Sequence, residues 1–124
     1  MSRQTENPFT NRVRVRVCGL LIQEGKVLLL KHDTIGSSGY LWSPPGGGVE
    51  FGESAHETLI KEFKEETNLT IEVGEYLFTN EFIGTKHHAI ELFFHVHLVS
   101  GDLKLGFDPE LPLDKQILTE ARFI

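Results

Sequence analysis

Residues 47–69 read GGVEFGESAHETLIKEFKEETNL, and the middle of that stretch predicts a helix over 55–67. Ala55, Leu59 and Phe63 recur at helical spacing and, widened by Ile60, give an apolar stripe that one helix face would bury. Ser54 and Glu57 have the Ser-x-x-Glu spacing of a capping box, in which each side chain satisfies a backbone N–H of the first turn. Asn68 stands where helices commonly end in a left-handed residue, a conformation that Asn tolerates. Glu62, Glu65 and Glu66 fall at i, i+3 and i+4, so they project from one side of the helix. Three neighbouring carboxylates repel one another, and folding alone gives no reason to gather them. A hard divalent cation does: Mg²⁺ takes carboxylate and carbonyl oxygens and keeps waters that substrate phosphates can replace. A solvated acidic face would also account for three glutamates. The glycines at 46–48 and Glu53 ahead of the helix shift the reading to a metal site, because glycine lets backbone approach a metal or phosphate closely.

Outward from the helix the pattern changes to strands. Residues 1–10, polar and without periodicity, read as a flexible arm, leaving 11–124 as a single domain. Val13 to Ile22 is β-rich and alternates in its first half, with Arg12, Arg14 and Arg16 on one face and Val13, Val15 and Val17 on the other. Gln23–Lys26 is a turn, and Val27 to Lys31 is expected to pair back as a hairpin. Tyr40–Trp42 is a short strand stopped by Pro44 and Pro45. Gly46, Gly47 and Gly48 read as a turn into the helix. Two long strands, 70–83 and 87–100, are expected to form a second hairpin, and 101–114 is a long loop before a last strand at 116–124. One helix among strands makes this an α/β domain with a mixed sheet.

Composition narrows the function. The length of 124 residues suits one domain with a real core. A net charge of -6 argues against a nucleic-acid polymer as partner, which wants a basic face. Cys18 is alone, so no internal disulfide forms and a reducing cytoplasm is the expected location. No stretch has the order of a signal peptide, and the apolar runs are too short to span a membrane.

With these residues in place, the stretch 47–69 resembles the signature of the Nudix hydrolases, G-x5-E-x7-R-E-U-x-E-E-x-G-U with U a bulky apolar residue. Gly47, Glu53, Glu62, Phe63, Glu65, Glu66 and Leu69 match it; Lys61 replaces the usual Arg and Asn68 the usual Gly. The resemblance implies an α/β/α sandwich over about 13–124. Members commonly carry a second helix after the last strand. This chain ends at Ile124 where that helix would begin, so the helix is expected to be missing and a homodimer would cover the sheet face. It also implies Mg²⁺-dependent hydrolysis of a diphosphate linkage in a nucleoside diphosphate joined to another moiety, with Mn²⁺ as a substitute metal and two phosphate-bearing products. Glu65 and Glu66 would be the main metal ligands, Glu62 a further ligand or an orienter of water, and the Gly46 carbonyl would complete the shell. Glu53 and Lys61 would brace the loop against the helix, Lys61 without the two-pronged geometry of Arg. Glu110, in the loop before the last strand, is the candidate catalytic base, and Asp108 a weaker one. The partner is a small nucleotide: a nucleoside triphosphate, a nucleotide sugar, ADP-ribose or a dinucleoside polyphosphate. The alternative is a Nudix-fold regulatory domain that binds a nucleotide without cleaving it, motivated by Lys61 and the early end of the chain.

Other residues have plainer readings beside functional ones. Arg14 and Lys31 are candidate phosphate contacts, set against an exposed strand face. His95 and His97 share a strand face at ligand spacing, but two half-buried imidazoles on a sheet explain them as well. His87 and His88 are expected at a solvent-exposed turn. Trp42 and Phe94 are read as core before base-stacking groups, and Cys18 as packing before nucleophile.

Overall fold

The computed structural model describes residues 12–33, 39–106 and 118–124. Extended, β-branched sequence gives eight strands among these residues, and the apolar stripe gives one helix. In chain order they are β1 (Val13–Leu20), β2 (Ile22–Gln23), β3 (Lys26–Asp33), β4 (Tyr40–Ser43), β5 (Gly46–Gly48), α1 (Ala55–Thr67), β6 (Thr70–Ile83), β7 (His88–Ser100) and β8 (Leu118–Phe123). A mixed sheet runs β5-β1-β7-β6, with β1 antiparallel to β5 and parallel to β7. A second, antiparallel sheet gathers β2, β4 and β8 around β3. The class is α/β with a mixed sheet, as expected. Of the expected helical layers, α1 is the one present among the described residues.

The first expected hairpin is redistributed. β1 does not pair with β3; it joins the mixed sheet, and the chain crosses at the buried Leu21, whose carbonyl accepts from Leu28 N–H at 3.0 Å. The hairpin is β2–β3, turned by Glu24 and Gly25 at φ 53° and 77°, the pair of left-handed residues that a tight two-residue turn needs. The long hairpin β6–β7 pairs as expected. The glycines at 46–48 are an edge strand, not a turn, paired with Arg16–Cys18.

Helix α1 has the expected ends. The Ser54–Glu57 box closes in both directions, and Asn68 caps the helix at φ 65°. Its stripe packs on β1, β5 and β6, with Leu59 and Phe63 fully buried beside Val17, Leu28 and Val96. The close seat depends on Gly19, where an added Cβ would lie 2.7 Å from the Phe63 ring. Ile60 is 40% exposed and does not widen the stripe. Thr58 and Thr67 are buried instead, their hydroxyls satisfied by Glu53 and by the Phe63 carbonyl, as buried polar atoms must be.

Candidate functional site

The site lies where α1 crosses the glycine strand. In an antiparallel pair, neighbouring backbones come within about 5 Å, and side chains decide how much closer anything else can approach. On β5 there are none. A Cβ on Gly47 would sit 2.7 Å from the Glu62 carboxyl carbon, so Glu62 packs against bare backbone. Gly46 N–H donates to Glu66 Oε1 at 3.0 Å. A Cβ on Gly48 would lie 2.6 Å from the Arg14 guanidinium. The strand therefore brings two carboxylates and a guanidinium to one stretch of backbone.

The charges are arranged unevenly. Burial pushes the Glu66 carboxyl up to about 8; the Gly46 N–H acts the other way, and Glu62 and Glu65 add repulsion. Arg16 lies close enough to Glu66 to favour its ionised form, while making a 3.0 Å ion pair with Glu91. Glu91 in turn accepts from Asn80 Nδ2 at 3.0 Å. The arginine face of β1 is the less exposed one: Arg14 and Arg16 are half-buried, whereas Val13 and Val15 are 56% and 42% exposed. Arg14 is shifted below its ordinary value by burial and then by Arg16. Cys18 is buried, and burial pushes its thiol up to about 11, which leaves it protonated and inert.

Glu62, Glu65 and Glu66 neighbour one another without converging on a point: among the described residues, no three His, Cys, Asp or Glu groups already stand as a ligand set. The donor chemistry nevertheless fits a hard divalent cation. Carboxylates crowd a buried one, whose charged form is unfavourable without a counter-charge, and backbone free of side chains lies alongside.

Glu53 and Lys61 meet. Lys61 Nζ donates to both Glu53 oxygens, at 3.1 and 2.9 Å, and Thr58 adds a third hydrogen bond. The Lys61 ammonium, then the Thr58 hydroxyl, hold the Glu53 carboxyl below its usual range. Lysine thus closes the contact that the sequence pattern gives to arginine. Lys61→Arg is expected to leave turnover unchanged and Glu53→Ala to lower it several-fold, read from initial rates at saturating metal.

The end of α1 is held by the chain that follows β7. Asn68 Nδ2 donates to the Asp102 carbonyl at 3.1 Å, Lys104 N–H to the Thr67 carbonyl at 2.9 Å, and Gly106 N–H to the Glu66 carbonyl at 2.7 Å. The last two satisfy helix carbonyls that have no partner within the helix. Glu110 and Asp108 lie outside the described residues.

Other expected residues are placed away from this group. The Lys31 ammonium sits 4.3 Å above the Tyr40 ring. His95 and His97 meet edge to face with centroids 4.6 Å apart. His88 bonds Glu81 at 2.7 Å. Phe94 is core, and Trp42 lies under Arg122 at 5.4 Å. The sequence reading passed over His32, Glu91 and Asn80. His32 is half-buried, 3.4 Å from Ser43 Oγ, and shifted below its ordinary value by burial and then by Arg16. Strand alternation carries one signal for it: a strand that turns Lys31 to one face turns His32 to the other.

The arrangement has relatives. A sequence model of the NUDIX domain matches residues 10–119. An ADP-ribose pyrophosphatase of Methanocaldococcus jannaschii is 33% identical over 96 residues, covering 76% of this chain and 56% of its own. A CTP pyrophosphohydrolase of Escherichia coli is 32% identical over 65 residues, 52% of this chain and 48% of its own. Among solved structures, the MutT protein of Methanosarcina mazei Go1 superposes with a TM-score of 0.73 at 26% identity, over 90% of this chain and 76% of its own. The chain spans about half the length of the curated relatives it matches. Among the described residues, no helix is long and apolar enough to cross a membrane.

Proposed function

The chain belongs to the Nudix hydrolase family, and from that premise we propose that it hydrolyses a diphosphate linkage in a nucleoside diphosphate joined to another moiety. The observation that carries the reading is the seating of Glu66 and Glu62 on the bare backbone of Gly46 and Gly47. Glu62, Glu65, Glu66 and the Gly46 carbonyl would hold Mg²⁺, or Mn²⁺ in its place. The ion supplies neutralisation of phosphate charge and acidification of a bound water.

The protein's own residues do the rest. Arg14 and Arg16 face the phosphates and stabilise the charge that develops as water attacks phosphorus, most of the protein's task in phosphoryl transfer. The Glu53–Lys61 pair holds the loop before α1 in place. Glu110 is the residue proposed to take the proton from water, with the Gly106–Glu66 contact fixing the chain four residues before it. The two named relatives support a nucleotide substrate, since each name specifies one with a phosphoric anhydride. The buried Cys18 suits a reducing cytoplasm, and the exposed Val13, Val15 and Ile83 favour a homodimer. Binding without cleavage would be favoured by an open Glu53–Lys61 brace, and that brace is closed.

The test is a phosphate-release screen over nucleoside triphosphates, nucleotide sugars, ADP-ribose and dinucleoside polyphosphates, with Mg²⁺, Mn²⁺ or EDTA. Turnover of one class, abolished by EDTA and restored by Mg²⁺, is expected. A folded protein that binds Mg²⁺ and cleaves none of them would overturn the proposal.

A further inference from the structure

The tip of the β6–β7 hairpin closes on the start of β1 and leaves a cavity of about 240 Å³. The chain turns there through 84–87, with Gly84 N–H donating to the His87 carbonyl at 2.7 Å. Register sets Val13, His88 and Ile83 side by side across three strands. Val13 alternates with Val15 and Val17, and Val17 is buried against α1, so this row lies on the face of the mixed sheet that carries the helix. The helix seats on Val17 and Val96 and leaves Val13 and Ile83 exposed. Val13 stands three positions before Arg16, where pairing with the glycine strand begins. At about 3.3 Å per residue that is about 10 Å along the strand, so the cavity is set apart from the carboxylates of α1.

Its lining is charged one way. Arg12, Lys86, His87 and His88 contribute to it, Val13 and Ile83 give apolar walls, and among the described residues that line it none is acidic. The chain as a whole runs the other way, with 18 Asp and Glu to 12 Lys and Arg. Glu81 lies one row away on the same face, and its carboxylate bonds His88 Nε2 at 2.7 Å. That contact sets the one nearby negative charge in the register against one imidazole. It leaves the Arg12 guanidinium, the Lys86 ammonium and the His87 ring around the cavity. Like charges gathered at one place repel, and closing a hairpin gives no reason to gather them; a bound anion removes the repulsion. A guanidinium meets phosphate oxygens with two parallel N–H groups, and an ammonium meets them as a point charge. The volume falls below the range of drug-sized pockets and suits a phosphate group with a small organic body against Val13 and Ile83.

We infer that this cavity is a second anion site, which binds a phosphate group, free or as the monoester of a small organic molecule, through Arg12, Lys86 and His87. It goes beyond the hydrolase reading and does not depend on it, because no residue of the cavity belongs to the group around Glu62, Glu65 and Glu66.

The experiment titrates inorganic phosphate, and separately ribose 5-phosphate, into the isotope-labelled full chain and follows backbone amide shifts by NMR. EDTA is present, so that no phosphate can bind through a metal at the carboxylates, and ionic strength is low to limit screening. Saturable shifts centred on 84–88 are expected, with a Kd of about 1 mM or tighter for at least one probe. Tighter binding of ribose 5-phosphate would identify the monoester as the ligand, and equal affinities the free anion. Lys86→Gln and Arg12→Gln are each expected to weaken binding about 10-fold, while Lys86→Arg keeps it. Both positions are exposed, so Tm is expected to be unchanged in all three variants. No saturable shift up to about 10 mM overturns the inference, whether the cavity stays empty or a second copy of the chain closes it. Shifts confined to 14–17 and 46–48 overturn it too, as does undiminished affinity in Lys86→Gln. Binding is read without metal or turnover, so failure of the hydrolase reading would leave this result standing.

Discussion

Glu66→Gln is expected to lower kcat by about 10²–10³-fold and at the same time to raise the stability of the metal-free protein at pH 8. The amide keeps an oxygen to accept from Gly46 N–H and loses only the charge. Glu66 is the carboxyl whose burial pushes its pKa to about 8 against an ordinary 4.5. A folded value above the unfolded one means that the native state holds the proton longer. The associated stability is present below about pH 4.5 and is lost as pH rises through about 8, at most a few kcal/mol on the linkage scale. In EDTA the wild type is therefore expected to melt lower at pH 8 than at pH 5.5, with the variant nearly flat over the same range. Adding Mg²⁺ should raise the wild-type Tm at pH 8 more than at pH 5.5, because the ligand must be ionised to bind. A variant that loses activity and Tm together, with no reversal in EDTA, would mean that Glu66 holds the fold and not a cation.

The second large effect is expected at a residue with no functional group. Gly47→Ala should lower kcat by about 10–100-fold, the scale of a displaced supporting group at a metal site, with Tm changed by no more than a few degrees. The new Cβ would meet the Glu62 side chain at 2.7 Å. That side chain is flexible and can swing away at little cost in stability, but it then leaves the backbone it was packed on. The measurement is kcat and thermal melting on one preparation. Full activity in the variant would show that Glu62 need not lie where the structure puts it.

Much of this site was legible from residues alone, and the reason is local. Capping and helical spacing are decided within 54–69, and the helix bounds and both caps agree with that reading. The misreadings are non-local. Glycine at 46–48 signals a turn as readily as a strand, and only the partner strand Arg16–Cys18 decides between them. Val13 to Lys31 carries hairpin spacing, yet β1 finds a parallel partner some 75 positions away, as the Arg16–Glu91 contact records. Ile60 fits the apolar period but lies beyond the edge of the contact with the sheet. Glu91 and Asn80 carry no spacing signal at all; their link to Arg16 exists only in the register of three strands.

The edge strand β5 has one more consequence. It is built of Gly46, Gly47 and Gly48, and each position is filled by something from elsewhere: strand backbone, the Glu62 carboxylate, the Arg14 guanidinium. A strand of this kind has no side chains with which to vary. Any change that retunes the protein toward a different ligand has to be written elsewhere in the sheet, at positions that carry a side chain. A library aimed at new specificity should therefore spare 46–48 entirely and spend its diversity on exposed side chains of the other strands.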